Sequence, residues 1–322
     1  MRSLPALLVV ALVSNCAPPP QGLRAADEGP GPKVEFDVFH LPLPEIPLPN
    51  DFATRFDALS PTKRRINAAI EVAPTRWERR IRAALDDISG WGTLAPITVS
   101  FSEPLDLVEL TRRHQAPGDT ADDALYVFDV TRGSPGFCQP TLLDLGQGHF
   151  PIVADDRTYF PEEPHNSMEQ ILFDQEEEDL NGNGVMDPGE DTDMDGVLDH
   201  PNTLDNKTGG PFDVIGFYEH ETNTLIARPL EPMREKTTYA VVLTKRLVGK
   251  SGKPVRSPFP AINHLSQTQA LGAVAECLST QNLGLDDVAF TWSFTTQAIT
   301  SDYIAVRDGF MGLGSLGFLK DK

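Results

Sequence analysis

Two consecutive acidic segments carry oxygen-bearing side chains at a fixed spacing. The first, DLNGNGVMDPGE, covers residues 179–190, and the second, DTDMDGVLDHPN, covers residues 191–202. Each has Asp or Asn at its first, third and fifth positions, Gly at its sixth and Asp at its ninth. Calcium takes six to eight hard oxygens at about 2.3–2.6 Å, and glycine at the sixth position of such a loop allows the sharp turn. The spacing therefore predicts a tandem calcium-binding region.

The first frame is the more complete of the two, because Glu190 at its twelfth position offers a bidentate carboxylate. The second frame ends in Asn202, a monodentate amide, so we expect weaker binding or a water in its shell. We expect the two frames to bind one or two calcium ions, which would stabilise the fold outside the cell. The alternative is a solvated acidic loop without metal. The predicted ligands, with backbone carbonyls from the two valines, are Asp179, Asn181, Asn183, Val185, Asp187, Glu190, Asp191, Asp193, Asp195, Val197, Asp199 and Asn202.

No catalytic constellation is present in the sequence. The chain has no G-x-S-x-G, and Ser315 in GLGSLG has Leu313 where the first glycine should stand. The pair His220-Glu221 lacks the second histidine of H-E-x-x-H. We therefore expect no catalysis by this chain.

Charge and the first residues indicate where the protein works. A net charge of −20 argues against a nucleic acid or an anionic membrane as partner. Residues 1–15 are typical of an export signal, and Val13-Ser14-Asn15-Cys16 resembles a lipobox, so Cys16 is the expected lipidation site. The alternative is an ordinary cleaved signal. We expect attachment to the envelope by lipid alone, at the outer membrane or cell surface, and the sequence identifies no protein or polysaccharide partner.

The two remaining cysteines, Cys138 and Cys277, leave two possibilities open. In an oxidising compartment they could form one disulfide bond, but nothing in the sequence shows that they lie close enough. The favoured interpretation is two separate buried thiols.

The rest of the chain predicts a mainly β fold with a few short helices. Residues 16–32 are rich in Pro, Gly and Ala and predict a disordered, lipidated tether, followed by an extension over 33–94. Helices are predicted over 75–89, with Thr75 in a capping box and an apolar face in the core, over 266–278, and from about residue 300 within a tail at 298–322. Apolar and polar residues alternate in four strands, which predicts an antiparallel sandwich with one wet and one dry face. These strands contain Ile97 to Phe101, Tyr126 to Val130, Tyr239 to Leu243 and Phe290 to Thr295.

Three phrases of the sequence resemble a known family. ITVSFSEPLDL, ARPLEPMREKTTYAVVLTKRLVGKSGKPV and FTWSFTTQ are similar to strands of the bacterial Ig-like domain named after S-layer proteins. The resemblance implies an Ig-like antiparallel sandwich over residues 95–297, with an inserted calcium-binding loop region at 174–206. PLPNDFAT resembles the N-terminal half of bacterial virulence-factor lipases, in which an α/β-hydrolase domain follows, and the acidic frames resemble thrombospondin type 3 repeats.

Two functions are consistent with these features. The first is a calcium-binding lipoprotein of the cell envelope that works as a structural or binding module. The alternative is the accessory N-terminal half of a secreted lipase or esterase whose hydrolase domain is absent from this chain.

Overall fold

A computed structural model of the chain describes residues 21–41, 44–68, 70–116, 118–146, 178–191, 198 and 215–321. Within this part the secondary structure is mainly β, with antiparallel strands and few helices, as the sequence predicts. The elements are β1 (Thr54–Phe56), β2 (Arg64–Ile66), α1 (Arg76–Leu85), β3 (Ile97–Ser100), α2 (Leu107–Arg113), β4 (Leu125–Asp129), β5 (Leu143–Asp144), β6 (Tyr218–Glu219), β7 (Thr224–Pro229), β8 (Thr238–Thr244), α3 (Val274–Ser279), β9 (Val288–Thr295) and α4 (Ser301–Phe310), with short 3₁₀ turns at Asp51–Ala53, Ile70–Val72, Leu265–Gln267, Leu285–Asp287 and Gly317–Asp321.

The first large sheet is organised around β7, which pairs with β3, β5 and β6. In β3 the burial alternates, so that Ile97 and Val99 are buried while Thr98 and Ser100 are half-buried. Successive side chains of a strand point to opposite faces, and one face of β3 lies on the core. The alternation predicted for this strand is confirmed.

The second large sheet has the order β4-β8-β9, and every residue of β4 and β9 is buried. The prediction of one wet and one dry face is wrong for this sheet. Its outer face carries Tyr126 and Phe128, which pack in one cluster with α3 and the segment before it. Within β9 the Thr291 hydroxyl donates to the Val241 carbonyl at 2.7 Å, whereas the buried Ser293 hydroxyl has no hydrogen-bond partner in the described part of the chain. α3 and the segment before it therefore shield the outer face of this sheet from water.

The inner faces of the two sheets meet in a single apolar cluster. Ile97 and Leu225 from the first sheet share it with Val241 and Trp292 from the second. Trp292 is fully buried. The two antiparallel sheets thus share one apolar cluster, which agrees with the predicted mainly β fold.

Cys138 and Cys277 form a disulfide bond, with Cα atoms 4.5 Å apart, so the favoured interpretation of two separate thiols is wrong. Cys138 follows β4, and its backbone N–H donates to the Asp129 carbonyl at 2.8 Å. Cys277 belongs to α3, which covers the outer face of the same sheet. The two residues are 139 positions apart in the sequence, so only the folded sheet shows their proximity.

Residues 21–32 lie along the body, although composition predicts a disordered tether there. The Leu23 N–H donates to Asn263 Oδ1 at 2.8 Å, and the Ile262 N–H donates to the Arg24 carbonyl at 3.0 Å. Backbone groups pair wherever a partner chain is in reach, and the segment at 260–263 supplies that partner. The tether prediction is therefore wrong for the described part of that segment.

In the proline-rich segment that follows, Asp37 forms an antiparallel bridge with Glu45, and the end of the segment is hydrogen-bonded to both sheets. Leu48 pairs with β3 at the edge of the first sheet. Trp292 Nε1 donates to the Pro49 carbonyl at 2.8 Å. The Asp51 carboxylate accepts from the backbone N–H and the hydroxyl of Thr295, both at 2.8 Å. Residues 48–51 thus connect the N-terminal part of the chain to β9.

α1 has the predicted N-cap, Thr75, but not the predicted buried face. Its apolar stripe is exposed, and the residue it buries is charged: Arg82 is 3% exposed and pairs with the carboxylate four residues earlier. Helical spacing shows which side chains share a face, but it does not say which neighbour covers that face. The exposed fractions of the stripe are 73% for Trp77, 58% for Ile81 and 39% for Leu85.

The other helices depart from the predicted bounds in smaller ways. The helix expected over 266–278 is shorter, because turns precede it and α3 begins at Val274. α4 confirms the third predicted helix. α2 was not predicted, and its N-cap Asp106 accepts a hydrogen bond from the Glu109 N–H at 3.0 Å.

Candidate metal centre

The first acidic frame forms a tight loop whose turns are made by glycine. Gly182, Gly184 and Gly189 have φ angles of +72°, +70° and +97°. Gly184 is the sixth position of the frame, where a calcium loop requires a sharp turn. The glycine turn therefore lies at the position that the calcium-loop spacing predicts.

Asp179, at the first position, organises the first half of the loop. Its Oδ1 accepts from the Asn183 N–H at 2.9 Å, and its Oδ2 accepts from the Gly184 N–H at 2.7 Å. Asn183 Oδ1 in turn accepts from the Val185 N–H at 2.7 Å. These bonds from side chain to backbone bend the chain around its own polar groups.

Asn181 brings the two carboxylates of the second half together. Its Nδ2 donates to Asp187 Oδ2 at 2.7 Å and to Glu190 Oε1 at 3.0 Å. Asn183 Nδ2 donates to the same Asp187 oxygen at 2.9 Å, and the Asp187 N–H donates to Glu190 Oε2 at 2.8 Å. Four predicted ligand residues, at positions three, five, nine and twelve, therefore converge.

At the end of the loop, the Glu190 side chain and one oxygen of Asp191 are buried. Glu190 is 5% exposed. In the described part of the chain, the buried oxygen Asp191 Oδ1 has no hydrogen-bond partner. A buried carboxylate oxygen without a donor is costly, and a cation would remove that cost. The hard oxygens of this loop suit calcium better than a softer metal such as zinc.

Among the described residues, no group of three or more His, Cys, Asp or Glu side chains has the arrangement of a metal site. The hydrogen bonds bring together the Asp187 and Glu190 carboxylates and two Asn amides. Each Asp179 oxygen accepts one backbone N–H and keeps a second lone pair for a cation. An amide turned about its last torsion would offer Oδ1 in place of Nδ2. The residues present therefore fit a calcium ion with mixed carboxylate and amide ligands.

The structure describes only one predicted ligand of the second frame, Asp191. The signal segment 1–15 and the expected lipidation site Cys16 lie outside the described residues. So do the other predicted ligands of the second frame, Asp193, Asp195, Val197, Asp199 and Asn202.

No family model fits the chain, and no curated protein or solved structure is similar to it. Within the described ranges, no helix combines the length and the apolar character that crossing a bilayer requires.

A second group of charged side chains lines an open pocket of about 620 Å³, which lies between two turns beside β4 and β8. Arg132, Arg234 and Lys236 line it together with Glu235. The Thr300 hydroxyl and the Thr300 N–H both donate hydrogen bonds to the Glu235 carboxylate. These bonds, of which the one from the hydroxyl has the larger effect, lower the pKa of Glu235 to about 2. The carboxylate is thus engaged by the start of α4. No sequence motif marks this pocket, because turns separated in the sequence form it.

His114 and Asp123 form a buried pair after α2. His114 Nδ1 lies 3.3 Å from Asp123 Oδ1, and the Ala124 N–H donates to His114 Nε2 at 3.1 Å. Because Nε2 accepts, the neutral ring carries its proton on Nδ1. Burial lowers the pKa of His114 to about 4 and raises the pKa of Asp123 to about 7. Burial therefore favours the neutral form of both groups.

Proposed function

We propose that the protein is a calcium-binding lipoprotein of the cell envelope, built on an Ig-like β module. The observation that carries the proposal is the convergence of Asn181, Asp187 and Glu190. The residue after Glu190 in the sequence, Asp191, adds a buried oxygen that has no hydrogen-bond partner within the described ranges. Carboxylates held this close repel one another unless a positive charge lies among them. Calcium would supply that charge, with Asp179, Asn181, Asn183, Asp187, Glu190 and the Val185 carbonyl around it, and the second frame would hold a second ion.

The envelope location has support from two features. The N-terminal sequence resembles a lipoprotein signal ending at Cys16. The bond between Cys138 and Cys277 also favours export, because disulfide bonds persist in oxidising compartments. The Ig-like form of the module is supported by two antiparallel sheets around one core, together with the family resemblance of their strands. We propose no nucleic-acid partner, since the net charge is −20.

The calcium proposal is tested by titrating the purified chain after chelation, followed by calorimetry and thermal unfolding. We expect a dissociation constant of roughly 10⁻⁴ to 10⁻³ M, as in extracellular modules. At ten times that constant, calcium should stabilise the fold by about 1.4 kcal/mol. Glu190→Gln should weaken binding, because it removes one carboxylate charge from the convergence. Glu28→Gln, at an exposed position outside the loop, is the matched control.

Three outcomes bear against calcium binding. The first is no heat and no change in thermal unfolding at millimolar calcium. The second is equal affinity in the Glu190→Gln variant and its parent. The third is an equal response to magnesium, since magnesium demands a smaller, near-octahedral shell.

A second candidate function is the accessory half of a secreted lipase or esterase. The observation that favours it is the apolar surface of α4, where Tyr303 is 78% exposed and Phe310 is 60% exposed. Such a surface is suited to contact with another domain. A reading frame that continues into a G-x-S-x-G sequence would support this candidate. Ester hydrolysis by the present chain alone, abolished by replacing one of its serines, would contradict it.

A further inference from the structure

Residues 51–90, here called the N-terminal unit, differ in charge from the rest of the chain. They contain eight Lys or Arg residues and six Asp or Glu residues, a net charge of +2, whereas the whole chain has a net charge of −20. The unit comprises the β1–β2 hairpin and α1, and hydrogen bonds hold these together. The Ile66 N–H donates to the Ile88 carbonyl at 3.1 Å, and the Ala68 N–H donates to Asp86 Oδ1 at 2.8 Å.

α1 in this unit faces its apolar side chains outward. Trp77, Ile81 and Leu85 recur every four residues and form one exposed stripe. The side of the helix that packs inward is polar, and there Arg82 Nε donates to Glu78 Oε1 at 3.0 Å. A helix that buries an arginine and exposes a tryptophan is oriented opposite to an ordinary surface helix. The stripe is therefore suited to an apolar environment outside the protein.

Arginines flank this stripe. Arg76, Arg79 and Arg80 are exposed, and Arg80 Cζ lies 5.5 Å from the centre of the Trp77 ring. Within the described ranges, none of the three forms an ion pair with a carboxylate. Their positive charge is therefore directed at solvent beside the apolar stripe, which gives α1 a basic and an apolar side that are both exposed.

We propose that α1 docks on the headgroup region of an anionic phospholipid membrane. An amphipathic helix with Arg on one side and Trp, Ile and Leu on another lies in the plane of that interface. The Trp77 ring suits the boundary between headgroups and acyl chains, and Arg76 and Arg80 suit the lipid phosphates. The acidity of the whole chain does not prevent this contact, since charges beyond about 8 Å are screened at physiological ionic strength. The contact goes beyond the proposed function and uses no residue of the calcium loop.

The test is co-sedimentation of the full chain with lipid vesicles, in a Cys16→Ser background so that no acyl chain is attached. We expect binding to vesicles of phosphatidylcholine mixed with phosphatidylglycerol, weaker binding to phosphatidylcholine alone, and weaker binding as salt increases. Tryptophan emission should shift to shorter wavelength on binding. Trp77→Phe should abolish that shift, because Trp292 is already buried and Trp91 is half-buried.

Matched variants identify the surface responsible. Each arginine near the membrane contributes roughly a fivefold factor in partitioning, so Arg76→Gln with Arg80→Gln should lower partitioning by about 25-fold. Trp77→Ser with Ile81→Ser should lower it by at least about tenfold. Tyr303→Ser, which replaces an exposed aromatic residue on α4, should leave partitioning unchanged. All of these proteins carry the same residues 1–50, so differences between them report on the substituted surfaces.

Several results would overturn the proposal. The first is the absence of vesicle binding, and the second is equal binding by the parent and the α1 variants. The third is a dimer of the parent that is lost in the Trp77→Ser, Ile81→Ser variant, because a second copy of the chain would then cover the stripe. Circular dichroism should be unchanged in all variants, because the substituted side chains are exposed. Calcium titration of the same preparations is measured separately, so loss of vesicle binding with intact calcium binding rejects the lipid contact alone.

Discussion

Replacing Asp51 by alanine should loosen the attachment of the N-terminal unit to β9. Asp51 is 5% exposed, and its carboxylate accepts two hydrogen bonds from Thr295 at 2.8 Å. Arg64 Nε lies 3.2 Å from the same carboxylate. Burial raises the pKa of Asp51 even though Arg64 acts in the opposite direction. The hydrogen bonds, more than the negative charge, should therefore hold this junction.

The expected loss follows from what alanine leaves behind. The Thr295 hydroxyl would keep Thr238 Oγ1 at 3.1 Å, but the buried Thr295 N–H would lose its acceptor. An unsatisfied buried donor costs about 1–3 kcal/mol, and the loss of a partner for Arg64 adds to it, so we expect a decrease of about 2–4 kcal/mol in the free energy of unfolding. Asp51→Asn keeps an oxygen for the Thr295 N–H and should cost about half as much.

Urea unfolding at neutral pH measures these differences. The matched control is Asp57→Ala, which removes an ion pair between Asp57 and Arg65 in the same hairpin and should change stability much less, because surface ion pairs contribute little. If Asp51→Ala unfolded at the same urea concentration as the parent, the junction would be without energetic importance. If Asp51→Asn were as unstable as Asp51→Ala, the charge would be the stabilising element instead.

The disulfide bond and the buried histidine give two further predictions. Replacing Cys138 and Cys277 together by alanine should lower the free energy of unfolding by about 2–5 kcal/mol, measured in urea, and a reducing agent should shift the parent in the same direction. The pKa of His114 is lowered to about 4, so between pH 6.5 and pH 4 the unfolded chain takes up a proton that the folded chain does not, and stability is lost as the pH falls. The pKa of Asp123 is raised to about 7, so its contribution to stability is lost as the pH rises to 7 and is regained as the pH falls. Asp123→Asn removes this compensation and should steepen the loss of stability between pH 6.5 and pH 4, whereas a curve parallel to that of the parent would contradict the assignment.

Local features of the fold could be predicted from the sequence. The alternation of β3, the N-cap at Thr75 and the turn at Gly184 depend only on residues a few positions apart. The convergence of Asn181 with Glu190 is also local, because it follows from the spacing within one frame. Interactions over short sequence separations are visible in the sequence itself.

Interactions between distant segments could not be predicted in the same way. The apolar stripes of α1 and α3 have similar helical spacing, yet Trp77 is exposed while Leu278 is fully buried. Leu278 is buried because α3 lies on the second sheet, and the spacing of apolar residues does not show which helix is covered by a sheet. The bond between Cys138 and Cys277 was missed for the same reason, because both residues had first to be brought to the outer face of that sheet.

The position of β9 affects when the protein can fold. This strand completes the second sheet, and its residue Thr295 also donates two hydrogen bonds to Asp51, which lies 244 positions earlier in the chain. Contacts across such long separations form slowly, since the chain loses loop entropy before it gains them. A nascent polypeptide would therefore keep both the second sheet and the Asp51 junction open until β9 had emerged from the ribosome.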